Sequence, residues 1–380
     1  MKSLERYADF LARHPVPVLL AVALTTAGLV AGIGRLRTRF DVEQSLPANH
    51  PFVEIDRAIR KQFGGRNSVI VAIVPREGEV WRPEVLDVVQ GATLEALRLD
   101  QVIAQNVVSL AAPSVRWVED KGSRIDTDYL MREVPKTPEG VAALRAKVES
   151  DPGLKGMLVT PDQKAALLVV DFWETGEPSI EIAHRVMKLA DGFKDRPVDF
   201  YFAGEPIVAL TDVEQSDEVS RRIPLAFGVI ALMLLASFRN VQGMVIPMLT
   251  AALSTLWGLG LMGWTGQVID AWNVATPILL IAIAAGHSAQ MLKRYTEEVE
   301  RLGDNRAAVV ASTAAVGPVM VAAGGVAALG FAPLAFTGIP AIRAFGLACA
   351  YGIGAAVVLE MTFIPALRAL LPAPRMKPTG

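Results

Sequence analysis

Two side chains in the C-terminal third of the chain stand out chemically: His287 in IAIAAGHSAQMLKRY (281–295) and Glu360 in YGIGAAVVLEMTFIPAL (351–367). Each interrupts a run otherwise apolar enough for lipid. An imidazole changes charge within the physiological pH range, so a His/Glu pair can load and release protons across a gradient. Advancing about 100° per residue along a helix, Asn273, Thr276, His287, Gln290 and Arg294 fall within a sector of roughly 100°, which predicts a polar stripe. Unpaired polar groups in hydrocarbon cost several kcal/mol, so the stripe should face neighbouring helices or a wet path. His287 and Glu360 each sit about a turn and a half from the end of their apolar run, a depth of about 8 Å, so the two can meet. The alternative is structural: His287 makes a hydrogen bond between helices, while Glu360 snorkels or pairs with Arg294 or Lys293.

Other chemistries lack their residues. There is no GxxxxGK[ST] phosphate cradle, GxSxG elbow or HExxH pair. His14, His50 and His184 are scattered, and Cys349 is the single cysteine. Ser288 beside His287 is no triad, because adjacent helical residues point about 100° apart. No enzyme activity, metal or other cofactor is expected. The net charge of −2, without a basic tract, gives no reason to expect a nucleic-acid partner. Asp270, in the short loop VIDAW, is expected to cap the helix that carries His287.

The elements that must position these residues are read from hydropathy. Of 380 residues, 52% are hydrophobic and 20% charged, with mean hydropathy +0.37, a composition that predicts a membrane protein. Six spans are expected, at 15–33, 223–238, 241–264, 272–292, 308–331 and 341–367. Trp257, Trp264 and Trp272 would anchor the external interface. Glycine and alanine at three- and four-residue spacing in the last two spans predict close helix packing. KRYTEEVERLGDNRAA (293–308) reads as a short interfacial helix with Leu292, Tyr295, Val299 and Leu302 on one side.

Lysine and arginine of the short loops mark the inside, while Arg35, Arg37, Arg39, Arg221 and Arg222 fall on the other side, flanking the long domain, where the rule is weakest. Lys2, Arg6, Arg13, Arg239, Lys293, Arg294, Arg301, Arg306, Arg368, Arg375 and Lys377 fall on one side, and the loops GQVID and APLAFTGI carry none. The resulting division is a cytoplasmic head and first span at 1–34, an extracytoplasmic domain at 35–222, a five-helix bundle at 223–370 and a tail at 371–380. The long segment reads as α+β, with strands at 68–74, 101–110, 165–173 and 198–204 and a helix inside each pair. That order is expected of a ferredoxin-like split unit. Residues 120–140 between its halves read as a connection or flap, followed by a short helix at VAALRAKVES (141–150).

One span, a large β-α-β/β-α-β domain and five clustered spans resemble one half of a resistance-nodulation-division (RND) transporter. The segments FDVEQSLPANHP, NVVSL, LVTPDQKAALLVVDF, FAGEPIV, SFRN and GHSAQMLKRYTEEV are similar to its MMPL and Patched-like branch, and the likeness covers nearly the whole chain. The resemblance implies gradient-driven export of a lipid or other hydrophobic molecule through a bacterial inner membrane, with a periplasmic partner possible. Members of that superfamily usually join two such halves, so a second half is expected, either from another copy or from a continuation of the chain. Many relatives carry an aspartate in the fourth span where this chain has Gly286 followed by His287, so that carboxylate role does not carry over to Gly286. Two other readings share the architecture: a sterol-sensing-like lipid-binding module that does not pump, and a protein-export accessory subunit resembling SecD/SecF.

Overall fold

The computed structural model describes residues 2–38, 46–47, 50–63, 67–120, 125–175, 177–270 and 272–373. Two compact units form: Pro51–Val213, and Met1–His50 together with Glu214–Gly380. FDVEQSLPANHP lies largely outside the described residues.

In the first unit β2 (Ser68–Pro75) is the central strand, antiparallel to β5 (Ala166–Asp171) on one side and β6 (Val198–Ala203) on the other. Alternation sets the faces. Val69, Val71, Ile73, Ala166, Leu168 and Val170 are buried in one core with α4 (Pro83–Leu97) and α6 (Ser179–Leu189), which contribute Leu86, Val89, Ile182 and Val186. Residues 101–110, expected as a fourth strand, make only bridges to the far side of β5, at Val102–Phe172 and Val108–Val169. A 3-10 turn over Ala104–Asn106 interrupts them. Gln101, at φ +67°, adopts a left-handed conformation that breaks extended pairing. The Asn106 amide reaches back to the Asp171 carboxylate at 3.1 Å.

The expected connection holds a hairpin instead, β3 (Arg116–Asp120) paired with β4 (Ile125–Tyr129). The Arg116 guanidinium lies over the Tyr129 ring at 4.3 Å. The helix after it is present as α5 (Pro138–Ser150), capped by Thr137, whose hydroxyl accepts from the Gly140 N–H at 3.2 Å.

The second unit is helical. Its elements are α1 (Lys2–Arg13), α2 (Pro15–Ile33), the end of α7 (Glu205–Phe238), α8 (Val241–Trp264), α9 (Thr276–Leu302), α10 (Asn305–Phe331) and α11 (Pro340–Leu370). A minimal parallel pairing of β1 (Arg37–Thr38) with β7 (Val268–Ile269) adds to these. Bounds for α2 and α8 coincide with the hydropathy reading. The second expected span is instead the end of a 34-residue helix that starts at Glu205.

Among the described residues, five helices are long and apolar enough to cross a membrane: α2, α7, α8, α10 and α11. The fourth expected span, α9, falls short because its apolar part is brief and its C-terminal third is charged. The expected separate interfacial helix is therefore a continuation of α9, which ends where Gly303 turns left-handed at φ +66°. Asp304 then caps α10, accepting from the Ala307 N–H at 2.7 Å.

Backbone approach fixes the helix crossings. A Cβ on Gly263 would lie 1.9 Å from the Gly32 carbonyl oxygen, so α2 and α8 cross with no room for a side chain. Trp257 is no exposed interfacial anchor: it is buried in this crossing, its indole N–H donating to Thr26 Oγ1 at 2.8 Å. Gly352 on α11 receives the Leu280 side chain of α9, bringing those helices together on one side.

Candidate functional site

Helices α9 and α11 pack against each other, and α9 also packs against α8 and α10. The register that seats Leu280 on Gly352 brings His287 opposite Glu360, with Nδ1 to Oε1 at 3.6 Å. That is an ion-pair separation, slightly beyond a hydrogen bond. Glu360 is fully buried and neither of its oxygens has a hydrogen-bond partner, while 21% of the His287 side chain remains exposed. His287 thus stands at the edge of the buried face of α9.

The other stripe residues separate. Asn273 precedes α9 in a tight turn, where its Oδ1 accepts from the Asp270 N–H at 3.2 Å and its amide donates to the Val268 carbonyl at 2.9 Å. Thr276 opens the helix, buried with its hydroxyl unpartnered. Gln290 is exposed, and Arg294 pairs with Glu298 at 2.6 Å and Glu297 at 3.3 Å, not with Glu360. The stripe fails as one surface because α9 begins at Thr276, leaving Asn273 outside helical geometry, and because the buried face turns through Ser288 rather than Gln290. His287 lies fifteen residues from the α9 end, about 22 Å, and Glu360 ten residues from the α11 end, about 15 Å.

Asp270 does not cap α9. It caps the preceding turn, its Oδ1 accepting from the N–H groups of Trp272 at 2.9 Å and Asn273 at 3.0 Å. Burial pushes its carboxyl above the usual range, opposed by those two backbone bonds.

Sequence reasoning did not assign a second polar rung between the same two helices. Arg368 is buried, donating to Tyr295 Oη and to Gln242 Oε1 of α8, each at 2.6 Å, with its guanidinium over the Tyr295 ring at 4.3 Å. Tyr295 in turn donates to Asn305 at 2.5 Å. The signal was present: Tyr295 and Arg368 each follow His287 and Glu360 by eight residues, so both rungs keep one register along the same pair of helices. Ser288, fully buried with an unpartnered hydroxyl, gave no comparable signal.

A helical bundle with long apolar elements, ionisable residues held between helices and an α+β unit inserted after the first span define a multi-pass membrane protein. The chain belongs to the MMPL family, whose model matches residues 93–378. It is 21% identical over 374 residues to "Putative membrane protein MJ1562" of Methanocaldococcus jannaschii, covering 96% of this chain and 92% of that one. It is 26% identical over 267 residues to the "Mycolic acid-containing lipids exporter MmpL11" of Mycolicibacterium smegmatis, covering 64% of this chain and 26% of the relative. Against the "Probable transport protein MmpL12" of Mycobacterium tuberculosis the identity is 22% over 228 residues, covering 58% of this chain and 20% of the relative. The chain thus spans about a quarter or less of the length of the two mycobacterial relatives.

Proposed function

We propose that this protein exports a lipid or other hydrophobic molecule, driven by a proton gradient, with His287 and Glu360 as the relay. The observation that carries the reading is the 3.6 Å approach of an imidazole to a fully buried carboxylate on the neighbouring helix. An uncompensated buried charge costs several kcal/mol, whereas the two groups together can hold one proton or two. A small rotation of either side chain makes or breaks their hydrogen bond, so proton occupancy is tied to how α9 sits on α11. The substrate class rests on family membership and on the lipid exporter among the relatives.

In this reading α9 is a sixth span, shielded from lipid by α8, α10 and α11, which makes its low hydropathy tolerable. The Pro51–Val213 unit is a ferredoxin-like domain on the extracytoplasmic side of a bacterial inner membrane. Supporting this, 101–110, β5, β2 and β6 lie side by side in that order, and the α4 and α6 cores pack on one face. The positive residues of the short connections favour that sidedness. A second half, supplied by another copy or by further chain, would complete the transporter.

The test is export of a fluorescent phospholipid by the protein reconstituted in vesicles with an imposed pH gradient. His287→Ala is expected to abolish the gradient-dependent component while leaving the melting temperature in detergent close to wild type. Unchanged export by that variant would contradict the relay.

A further inference from the structure

Where α8 begins and α11 ends, the polar rung around Arg368 borders a small pocket. Asn240, Gln242 and Gly243 at the start of α8, Tyr295 and Thr296 of α9, and Arg368 of α11 line it, and no acid is among its lining residues. The pocket measures about 10 Å³, room for about one water-sized sphere. A single-atom anion is of that scale, whereas a tetrahedral oxyanion is not.

The charge around this pocket is one-sided. Arg368 is buried, its Nη1 donates to Gln242 Oε1 and its Nη2 to Tyr295 Oη, both neutral acceptors, and its Nε is buried without an acceptor. Among the described residues no carboxylate lies within ion-pair distance of it. On α9, Glu297 and Glu298 pair with Arg294 and Arg301, acid for base, and Glu360 faces His287. The other charged residues next to the lining in sequence, Arg239 and Lys293, are exposed and positive. The pocket also lies at the N-terminal end of a 24-residue helix, where the Asn240 side chain accepts from the Gly243 N–H at 2.6 Å and the helix end presents partial positive charge.

We propose that this pocket binds chloride, held by the Nε of Arg368 and the first turn of α8. A buried charge is ordinarily paired with one of opposite sign, and an arginine N–H makes a charge-assisted bond to an anion. The tyrosine ring and the neutral acceptors hold the two ends of the guanidinium, which leaves the Nε edge for the anion. Water would satisfy that donor but bring no charge, and a ligand bearing phosphate exceeds the space. Bound there, chloride ties α8, α9 and α11 together at the level of one rung. The site requires neither proton coupling nor export.

The test is the chlorine NMR line width of the full chain in detergent, purified in sodium gluconate and titrated with sodium chloride at constant ionic strength. Wild type is expected to broaden the chloride line saturably. The broadening should fall at least fivefold in Arg368→Gln, which removes the cation, and in Thr296→Leu, which narrows the pocket. Bromide should reverse it at equal concentration, and inorganic phosphate should not. Near-UV circular dichroism equal to wild type identifies the folded variants, and Thr296→Leu, which leaves Arg368 and its bonds in place, decides the matter if Arg368→Gln does not fold. Wild-type broadening in either folded variant, phosphate as effective as bromide, or no broadening by wild type beyond that of protein-free detergent would overturn the proposal.

Discussion

Arg368 is a buried cation whose partners are neutral. Tyr295 Oη and Gln242 Oε1 accept from it, the Pro372 carbonyl accepts at 3.3 Å, and the C-terminal end of α11 lies a residue or two away. Helix C-termini favour positive charge, and the tyrosine ring adds a cation–π contact, so the guanidinium is compensated without a carboxylate. Tyr295 therefore carries two bonds at once, accepting from Arg368 and donating to Asn305 of α10. Tyr295→Phe should lower stability by about 1–3 kcal/mol, the cost of leaving a buried donor and acceptor unpaired. A melting temperature in detergent equal to wild type would show that the rung is not structural. Its legibility was partial: charge placement marked Arg368 as lying near a helix end, but only the shared eight-residue step from His287 and Glu360 pairs it with Tyr295.

At the scale of elements, boundaries decided what the sequence revealed. Spans α2 and α8 are uniformly apolar and flanked by polar residues, so hydropathy alone places them. The helix of the fourth expected span differs from its apolar run at both ends for one reason: helical continuity is set by caps, not by hydropathy. The turn held by Asp270 and Asn273 keeps α9 from starting before Thr276, and no cap intervenes until Gly303. The hairpin at 116–129 was hidden because its strands are mostly polar and exposed, so no alternating apolar pattern announces it. Residues 101–110 mislead in the opposite direction, since their β-branched composition says strand while the left-handed Gln101 and the turn at 104–106 prevent one.

The Asp270 turn yields an element-scale prediction. Burial raises its carboxyl above the unfolded value of about 3.9. The folded state therefore binds more protons than the unfolded one between those two values, and stability falls as pH rises through that window. Asp270→Asn keeps an oxygen for the two backbone N–H groups and removes the charge, so its melting temperature should lose that acid-range dependence and equal or exceed wild type at neutral pH. Asp270→Ala should cost about 1–3 kcal/mol by stranding both donors. If Asn destabilises as much as Ala at neutral pH, the account of the turn is wrong.

For the whole molecule, one register between α9 and α11 organises both polar rungs and the seat of Leu280 on Gly352, so a shift at one level is transmitted to the others along two rigid helices. Export follows in this account if proton occupancy at His287–Glu360 selects between two such registers, with the hydrophobic cargo responding through the rest of the bundle. The most direct test is proton flux into vesicles loaded with a pH-sensitive dye and containing wild type, His287→Ala, Glu360→Gln or the double variant. Two groups acting as one relay should each cost at least tenfold in flux alone, and the double variant should be no slower than either single one, the non-additivity of a coupled pair. Wild-type flux in both single variants, or losses that simply multiply in the double, would contradict it.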